Sequence, residues 1–302
     1  MSFDRIFILG AGAMGSVCGA FLSRNYGVTL IGDKAHVQAV NSKGLSISGD
    51  MNGTFHLKAD TEIHEIPEKT LIILTTKAYD SAKAVEGIHR FLKKDTVILI
   101  IQNGLGNEDI VRHVVGSKAR VLRGITTMAA EFFKPGEVKF WNGETVIGRG
   151  AVAEEIAGIF RASMLKTRLS EDIDGEIWSK VVVNCVVNPL TAVFRVRNRD
   201  IVVDSLATVR HQLARECVAV GKAEGITFPE DLEKEIDMEI SNYTNFSSMC
   251  QDIMKGNRTE IDFLNGKIVK LGRKNHVSTP VNETLVCFIK FLEGKNELPR
   301  KD

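Results

Sequence analysis

The stretch that decides the fold is Ile6-Phe-Ile-Leu-Gly10-Ala-Gly12-Ala-Met-Gly15. Four apolar residues run straight into Gly-x-Gly-x-x-Gly. A run without alternation suits a parallel strand that is covered on both faces. Gly10 suits the tight turn at the end of that strand. Gly12 lets the backbone approach a pyrophosphate, and Gly15 lets the next helix pack closely on the sheet. The helix would then offer its first N–H groups and its positive dipole end to the phosphates. Gly15, Gly19 and Ser23 recur at a spacing of four, which is one helical face. Three glycines in an ordinary loop would look the same. The position between strand and helix is the context that a dinucleotide loop requires. Gly10, Ala11, Gly12, Ala13, Met14 and Gly15 are therefore expected to hold a dinucleotide.

Outward from this loop, strands and helices alternate. Val28–Ile31 reads as a second strand, ending at Gly32-Asp33. Residues 45–48 and 54–59 read as a hairpin about Asp50-Met-Asn-Gly53, because Asn-Gly favours a tight reversal. Thr70–Thr75 and Thr96–Ile101 are buried strands, with a helix from about Asp80 to Phe91 between them. Asn107 is expected to cap a helix to Val115. Val121–Ile125 is strand-like, and residues 139–147 suggest a second hairpin about Asn142-Gly143. Such alternation predicts a doubly wound parallel sheet. Near residue 170 the character changes. Helices are expected from Asp174 to Asn188, Asp204 to Glu224, Pro229 onward, Phe246 to Lys255, Glu260 to Lys274, and from Pro280. The chain thus reads as an α/β class protein. A Rossmann domain spans residues 1–170, and an all-α C-terminal domain spans residues 171–302.

Composition narrows the function. The chain has 302 residues, with 39 basic side chains against 38 acidic ones, so neither nucleic acid nor an anionic membrane is expected as a partner. Apolar runs such as Val181-Val-Val are too short to span a bilayer. No charged-then-apolar leader precedes the first strand, and a cytoplasmic location is expected. Five cysteines without Cys-x-x-Cys argue against a disulfide framework. The scattered histidines lack the close pairing of a metal site. An apolar face on the helical domain leaves a homodimer open.

In sheets of this kind the ligand lies beyond the carboxyl ends of the strands. Asp33, Lys77 and Asn103 fall there. A second polar set lies in Trp178-Ser-Lys180-Val-Val-Val-Asn184-Cys-Val-Val-Asn188-Pro189. Lys180, Asn184 and Asn188 repeat every four residues and stack on one helix face. Polar groups on so apolar a helix need partners, because burying them otherwise costs free energy. A solvated stripe is the ordinary explanation. A lysine that lends a proton to a forming alkoxide, beside asparagines that hold a carboxylate or hydroxyl, is the functional one. Desolvation would bring that lysine's pKa toward neutrality. Pro189 also frees a carbonyl one turn back. A third stretch, Ser247-Ser248-Met-Cys-Gln-Asp252 to Thr259-Glu260-Ile-Asp262, contains Glu260. That residue either serves the start of a helix capped by Thr259 or pairs with Lys180 or a substrate hydroxyl.

Taken together, Gly10–Gly15, Thr76-Lys77-Ala, Gln102-Asn103-Gly104-Leu-Gly106, Lys180 with Asn184-Cys-Val-Val-Asn188-Pro-Leu-Thr, Ser248-Met-Cys-Gln-Asp252 and Thr259-Glu260-Ile-Asp262 resemble the ketopantoate reductases. The resemblance covers almost the whole chain. It implies reduction of the 2-oxo acid ketopantoate to pantoate with NADPH, on the branch of vitamin B5 synthesis that leads to coenzyme A. It also implies Lys180 as proton donor, with Glu260 close to it. Asn103, Asn184, Asn188, Asn198 and Ser248 are implied as substrate contacts. Lys77, Ala130, Glu260 and again Asn103 are implied on the cofactor side. Members that use NADPH usually carry an arginine near the end of the second strand, where this chain has Gly32-Asp33-Lys34. Asp33 stands at the spacing of an acidic residue that binds the ribose of NAD, so NADH is expected as a usable or preferred cofactor. Two rivals stand beside this reading: a reductase of another 2-oxo acid on the same fold, and a non-catalytic NAD(P) sensor.

Overall fold

The structure is a computed structural model and describes residues 3–230 and 232–296. The chain divides into two compact units. One takes the chain up to Gln102 and Gly106–Ile173; the other takes Asn103–Leu105 and the chain from Asp174 onward.

The first unit begins with β1 (Arg5–Leu9), α1 (Ala13–Leu22), β2 (Val28–Ile31), α2 (Lys34–Lys43), β3 (Leu45–Gly49), β4 (Gly53–Phe55) and β5 (Lys58–Asp60). It continues with β6 (Thr70–Leu74), α3 (Ser81–Ile88), β7 (Val97–Ile100), α4 (Asn107–Val115) and β8 (Arg120–Thr126). It closes with β9 (Ala129–Lys134), β10 (Glu137–Trp141), β11 (Thr145–Gly148), α5 (Ala153–Ala162) and β12 (Thr167–Ser170). Eight strands form the main sheet in the order β12-β11-β8-β7-β6-β1-β2-β5. The run from β5 to β8 is parallel, and β11 joins β8 antiparallel.

The unbroken apolar runs in β1, β6 and β7 serve two cores, because successive side chains on a strand point to opposite faces. Ile6, Ile8, Leu71, Ile73, Val97 and Leu99 join α1 and α5 on one face. Phe7, Leu9, Ile72, Leu74, Ile98 and Ile100 join α3 and α4 on the other. This is the doubly wound sheet that the sequence predicts. From β1 the chain first extends the sheet on one side with β2, then returns to the other side with β6. The strand order therefore reverses at β1, and ligands of such sheets bind where it reverses.

Two expected turns differ in the structure. The hairpin about Asp50–Gly53 forms between β3 and β4 and stops at Phe55; β5 joins the main sheet instead. No hairpin forms about Asn142-Gly143, because β10 and β11 belong to different sheets. A Cβ on Gly143 would lie 2.4 Å from the Met128 nitrogen, so this glycine serves a close backbone approach. The reversal occurs earlier, between β9 and β10, at Pro135-Gly136, where Gly136 has φ 82°. These strands complete a second sheet, β4-β3-β10-β9, which packs on α1.

The second unit contains α6 (Ile173–Phe194), α7 (Asp204–Ala223), α8 (Leu232–Ser241), α9 (Ser248–Lys255), α10 (Asn265–Lys274) and α11 (Pro280–Asn296). Pro280 stands in the first turn of α11, where its missing N–H costs nothing. Ser247 caps α9, its Oγ accepting the Cys250 N–H at 3.0 Å. Helix α6 runs on through Pro189, six residues past Asn188. It is long and apolar enough to cross a membrane, yet 72% of its most apolar window is buried inside the fold. The helix expected from Glu260 is broken. A 3-10 turn, Ile261–Phe263, comes first, and α10 starts only after Leu264, whose φ of −110° and ψ of −108° lie outside the helical region.

Candidate active site

In the first unit the three loop glycines have three different surroundings. Gly10 has φ +112°, and a Cβ there would lie 2.4 Å from the Thr76 nitrogen. A Cβ on Gly15 would lie 2.2 Å from the Gly10 carbonyl oxygen. Thr75 Oγ1 donates to that same oxygen at 2.8 Å. A Cβ on Gly12 would meet nothing within 4 Å. Gly10 and Gly15 are thus required by the packing of β1, β6 and α1, while Gly12 faces open space at the start of α1. The N–H groups of Ala13, Met14 and Gly15 lie in the first turn and have no acceptor inside the helix. A phosphate fits this cradle by charge and by space. Ala11 is buried against Gly32, where an added Cβ would lie 2.7 Å from the Ala11 Cβ. Ala13, Met14 and Ala130 of β9 all pack on the α1 side of the core.

Asp33 is exposed and precedes α2 in extended conformation, but its side chain makes no capping hydrogen bond. Capping therefore does not explain this residue. Lys34 follows as the first, exposed residue of α2. Arg24 stands beyond the opposite end of α1. Its guanidinium lies 5.3 Å and 5.1 Å from the ring centres of Phe21 and Phe55, so it offers no charge beside Asp33. Lys77 follows β6, half-buried, at the head of the 3-10 turn Ala78–Asp80. Gln102 holds this strand end: its Nε2 donates to the Thr76 carbonyl at 2.6 Å and to Ser81 Oγ at 2.9 Å.

One residue here escaped the sequence reading. His36 of α2 is buried, and its Nδ1 accepts the Gly136 N–H at 3.0 Å. The ring proton of the neutral imidazole is then on Nε2, which donates to Ser16 Oγ at 3.0 Å. Ser16 in turn donates to the Ala11 carbonyl at 3.4 Å. A chain of hydrogen bonds thus joins α2, the glycine loop and the turn before β10. Burial lowers the pKa of His36, and the Asp33 charge raises it partly back.

In the second unit α6 carries Lys180, Asn184 and Asn188 on one face. Lys180 and Asn184 are half-buried, and Asn188 is buried. Asn184 Nδ2 is buried with no hydrogen-bond partner. Asn198 opens the 3-10 turn Asn198–Ile201. Its N–H donates to the Asn245 carbonyl at 3.0 Å, which brings it beside the strand of chain leading to Ser248. Asn198 Oδ1 is buried and has no partner either. Ser248 begins α9, and its neighbour Ser247 shares a 2.7 Å hydroxyl contact with Thr191 of α6. Asn103-Gly104-Leu105 docks on the turn after Glu260: Leu105 N–H donates to the Phe263 carbonyl at 3.0 Å, and a Cβ on Gly104 would lie 2.6 Å from that oxygen. Glu260 is buried and heads this turn, but its side chain makes no cap. Thr259 does that work, its Oγ1 accepting the Ile261 N–H at 3.3 Å. Shared contacts thus place Asn198 and Ser248 beside one stretch of chain, Asn103 beside the turn that Glu260 heads, and Ser248's neighbour on α6.

Residues 6–151 match the family described as Ketopantoate reductase PanE/ApbA, and residues 172–293 match its C-terminal part. The chain belongs to the ketopantoate reductase family. It is 37% identical over 301 residues to the 2-dehydropantoate 2-reductase of Pyrococcus horikoshii, an alignment that covers 96% of this chain and 98% of that protein. The Archaeoglobus fulgidus 2-dehydropantoate 2-reductase is 33% identical, with 97% and 99% covered. Among solved structures, the PanE/ApbA family ketopantoate reductase of Ralstonia eutropha superposes with a TM-score of 0.91 at 29% identity, over 97% of this chain and 100% of that one. A D-mandelate dehydrogenase solved with NADH and anilino(oxo)acetate gives a TM-score of 0.91 at 28% identity, over the same shares. As a ketopantoate reductase family member, the chain is an oxidoreductase that uses a nicotinamide cofactor.

The sequence reading missed Asn245, Thr191 and His36, which hold other residues in place. Thr191 and His36 are buried polar side chains, but nothing in the sequence distinguishes them from other polar residues before the fold is known.

Proposed function

We propose that this chain is a 2-dehydropantoate 2-reductase, acting in pantothenate synthesis. The observation that carries the reading is that two of the buried amide atoms without a partner among the described residues, Asn184 Nδ2 and Asn198 Oδ1, belong to residues of the proposed substrate set. Buried polar groups are normally paired, so this donor and this acceptor call for a polar ligand. Ketopantoate supplies a carboxylate and ketone to accept, and a hydroxyl to donate. When bound, the reduced nicotinamide would supply the hydride for the ketone carbon. Lys180 gives its Nζ proton to the oxygen as the carbonyl becomes an alcohol. Asn103, Asn184, Asn188, Asn198 and Ser248 orient the acid. Glu260, released from capping by Thr259, supports the charge on Lys180. Lys77 and Ala130 take the cofactor side together with Gly10–Gly15.

For the cofactor, the carboxylate of Asp33 favours NADH. It makes no capping bond, and in this position it would accept from a ribose hydroxyl and repel a 2′-phosphate. Lys34 is the one nearby cation in sequence that opposes this.

The rival reading, a reductase of another 2-oxo acid on the same fold, is not favoured over ketopantoate, and the likeness to a D-mandelate dehydrogenase solved with NADH supplies the competitor that tests it. Competition between ketopantoate and phenylglyoxylate in one assay separates the two. Preference for ketopantoate is expected, and preference for phenylglyoxylate would overturn the first reading.

A further inference from the structure

Helix α6 has a defect at its functional centre. Pro189 has no N–H, so the Cys185 carbonyl, four residues back, lacks its helical donor. A buried carbonyl without a partner is costly. Here the missing donor is supplied from elsewhere in the fold: Asn265 Nδ2 donates to the Cys185 oxygen at 2.9 Å. Asn265 is fully buried at the start of α10.

The orientation of this amide is forced by its neighbours. Glu216 of α7 is a buried carboxylate that accepts the Val281 and Asn282 N–H groups at 3.1 Å and 3.0 Å, at the N-terminus of α11. It also accepts from Asn282 Nδ2 at 2.8 Å. Asn282 must therefore turn its Oδ1 away from Glu216. That oxygen receives the second proton of Asn265 Nδ2, at 2.8 Å. With acceptors on both sides, Asn265 can present only its NH2 group to α6. A relay of fixed polarity thus runs from α7 through α11 and α10 to α6.

Both ends of this relay lie beside proposed site residues. Cys185 follows Asn184 directly and stands between it and Asn188. Asn265 lies five residues after Glu260, across the turn that also receives Leu105. We propose that Asn265 is a positioning residue. By clamping the Glu260 segment to the Pro189 defect, it sets the register of Glu260 against the helix that carries Lys180 and the substrate amides. This rests on the reading of Lys180 and Glu260 given above. The interior is close-packed, so the register has few alternatives once the clamp is made.

The test is a double-mutant cycle of Asn265→Ala and Pro189→Ala, assayed with ketopantoate. Asn265→Ala takes a donor from two buried acceptors, the Cys185 carbonyl and Asn282 Oδ1; Pro189→Ala restores an N–H for the first of them inside the helix. Asn265→Ala is expected to lower kcat by ~10–100-fold, the scale of a slight misplacement at a reacting centre. It should also shift the pH profile of kcat. Adding Pro189→Ala should restore part of the melting temperature, the Cys185 share of the loss, but not kcat. If kcat and pH profile return together with the melting temperature, Asn265 is merely structural and the proposal falls. Unchanged kcat in a folded Asn265→Ala protein overturns it equally. Should Asn265→Ala fail to fold, the double variant carries the same comparison against Pro189→Ala alone. Wild-type protein that reduces no 2-oxo acid would instead overturn the functional reading itself.

Discussion

The backbone at Gly10 approaches Thr76 so closely that a Cβ on Gly10 would lie 2.4 Å from the Thr76 nitrogen, whereas a Cβ on Gly12 would meet nothing within 4 Å. Two glycines of one motif therefore answer to different constraints. Gly10→Ala forces a side chain into backbone at a positive φ and should destabilise the protein by at least ~2 kcal/mol. Gly12→Ala should leave the urea midpoint nearly unchanged and weaken dinucleotide binding by about tenfold or more, a loss of ~1.4 kcal/mol. Denaturation and fluorescence titration of both variants check this. Equal loss of stability in the two would show that Gly12 is structural.

Asp33 should set the cofactor ratio. Two like unit charges 4 Å apart repel by ~1 kcal/mol in water and ~4 kcal/mol at an effective dielectric of 20. A 2′-phosphate beside Asp33 would therefore be disfavoured by about tenfold to several hundredfold. Side-by-side kcat/KM values with NADH and NADPH should favour NADH in the wild type, and Asp33→Ala should move the ratio toward NADPH. A strong preference for NADPH that the substitution leaves untouched would contradict this role.

His36 should make stability depend on pH. Burial holds its pKa below the ordinary 6.5, and its Nδ1 must stay bare to accept from Gly136. The unfolded chain then binds a proton that the folded one refuses. Where the unfolded state binds more protons, stability rises with pH. The contribution of His36 is therefore full above about 6.5 and declines as pH falls through that value toward the lowered one. Urea denaturation at pH 7.5 and 5.5 should show a larger loss in the wild type than in His36→Asn, whose side chain can still accept from Gly136. Equal losses would show that His36 does not set this pH dependence.

The sequence made the architecture legible because its signals are local. β1, β6 and β7 are apolar without alternation, and only a strand covered on both faces needs that. The glycine loop was legible for the same reason. The supposed hairpin at Asn142-Gly143 failed because a glycine that permits close approach to Met128 looks like one that permits a turn. The break at Leu264 falls directly before Asn265-Gly266, a local breaker signal that the reading of Glu260–Lys274 as one helix passed over. Pro189 announced a free carbonyl at Cys185, but its partner Asn265 lies 80 residues away. Asn184 and Asn188 stood out by spacing. His36 had no such pattern, since its hydrogen-bond partners, Ser16 and Gly136, come from two distant segments.

The substrate amides should act on binding. Asn184→Ala or Asn188→Ala should raise the KM for ketopantoate at a cost of ~1–3 kcal/mol, the penalty for leaving a buried group unpaired. Dinucleotide affinity should stay unchanged. A lower melting temperature with normal kinetics would mark these residues as structural.

The most direct measurement is kcat for ketopantoate reduction at saturating dinucleotide, taken on the wild type and on Lys180→Ala. Clear turnover by the wild type is expected, with a loss of ~10²–10⁴-fold in the variant, the usual worth of a positioned general acid, and dinucleotide affinity retained. A wild type inert toward ketopantoate, or a variant that keeps its rate at neutral pH, would contradict this reading.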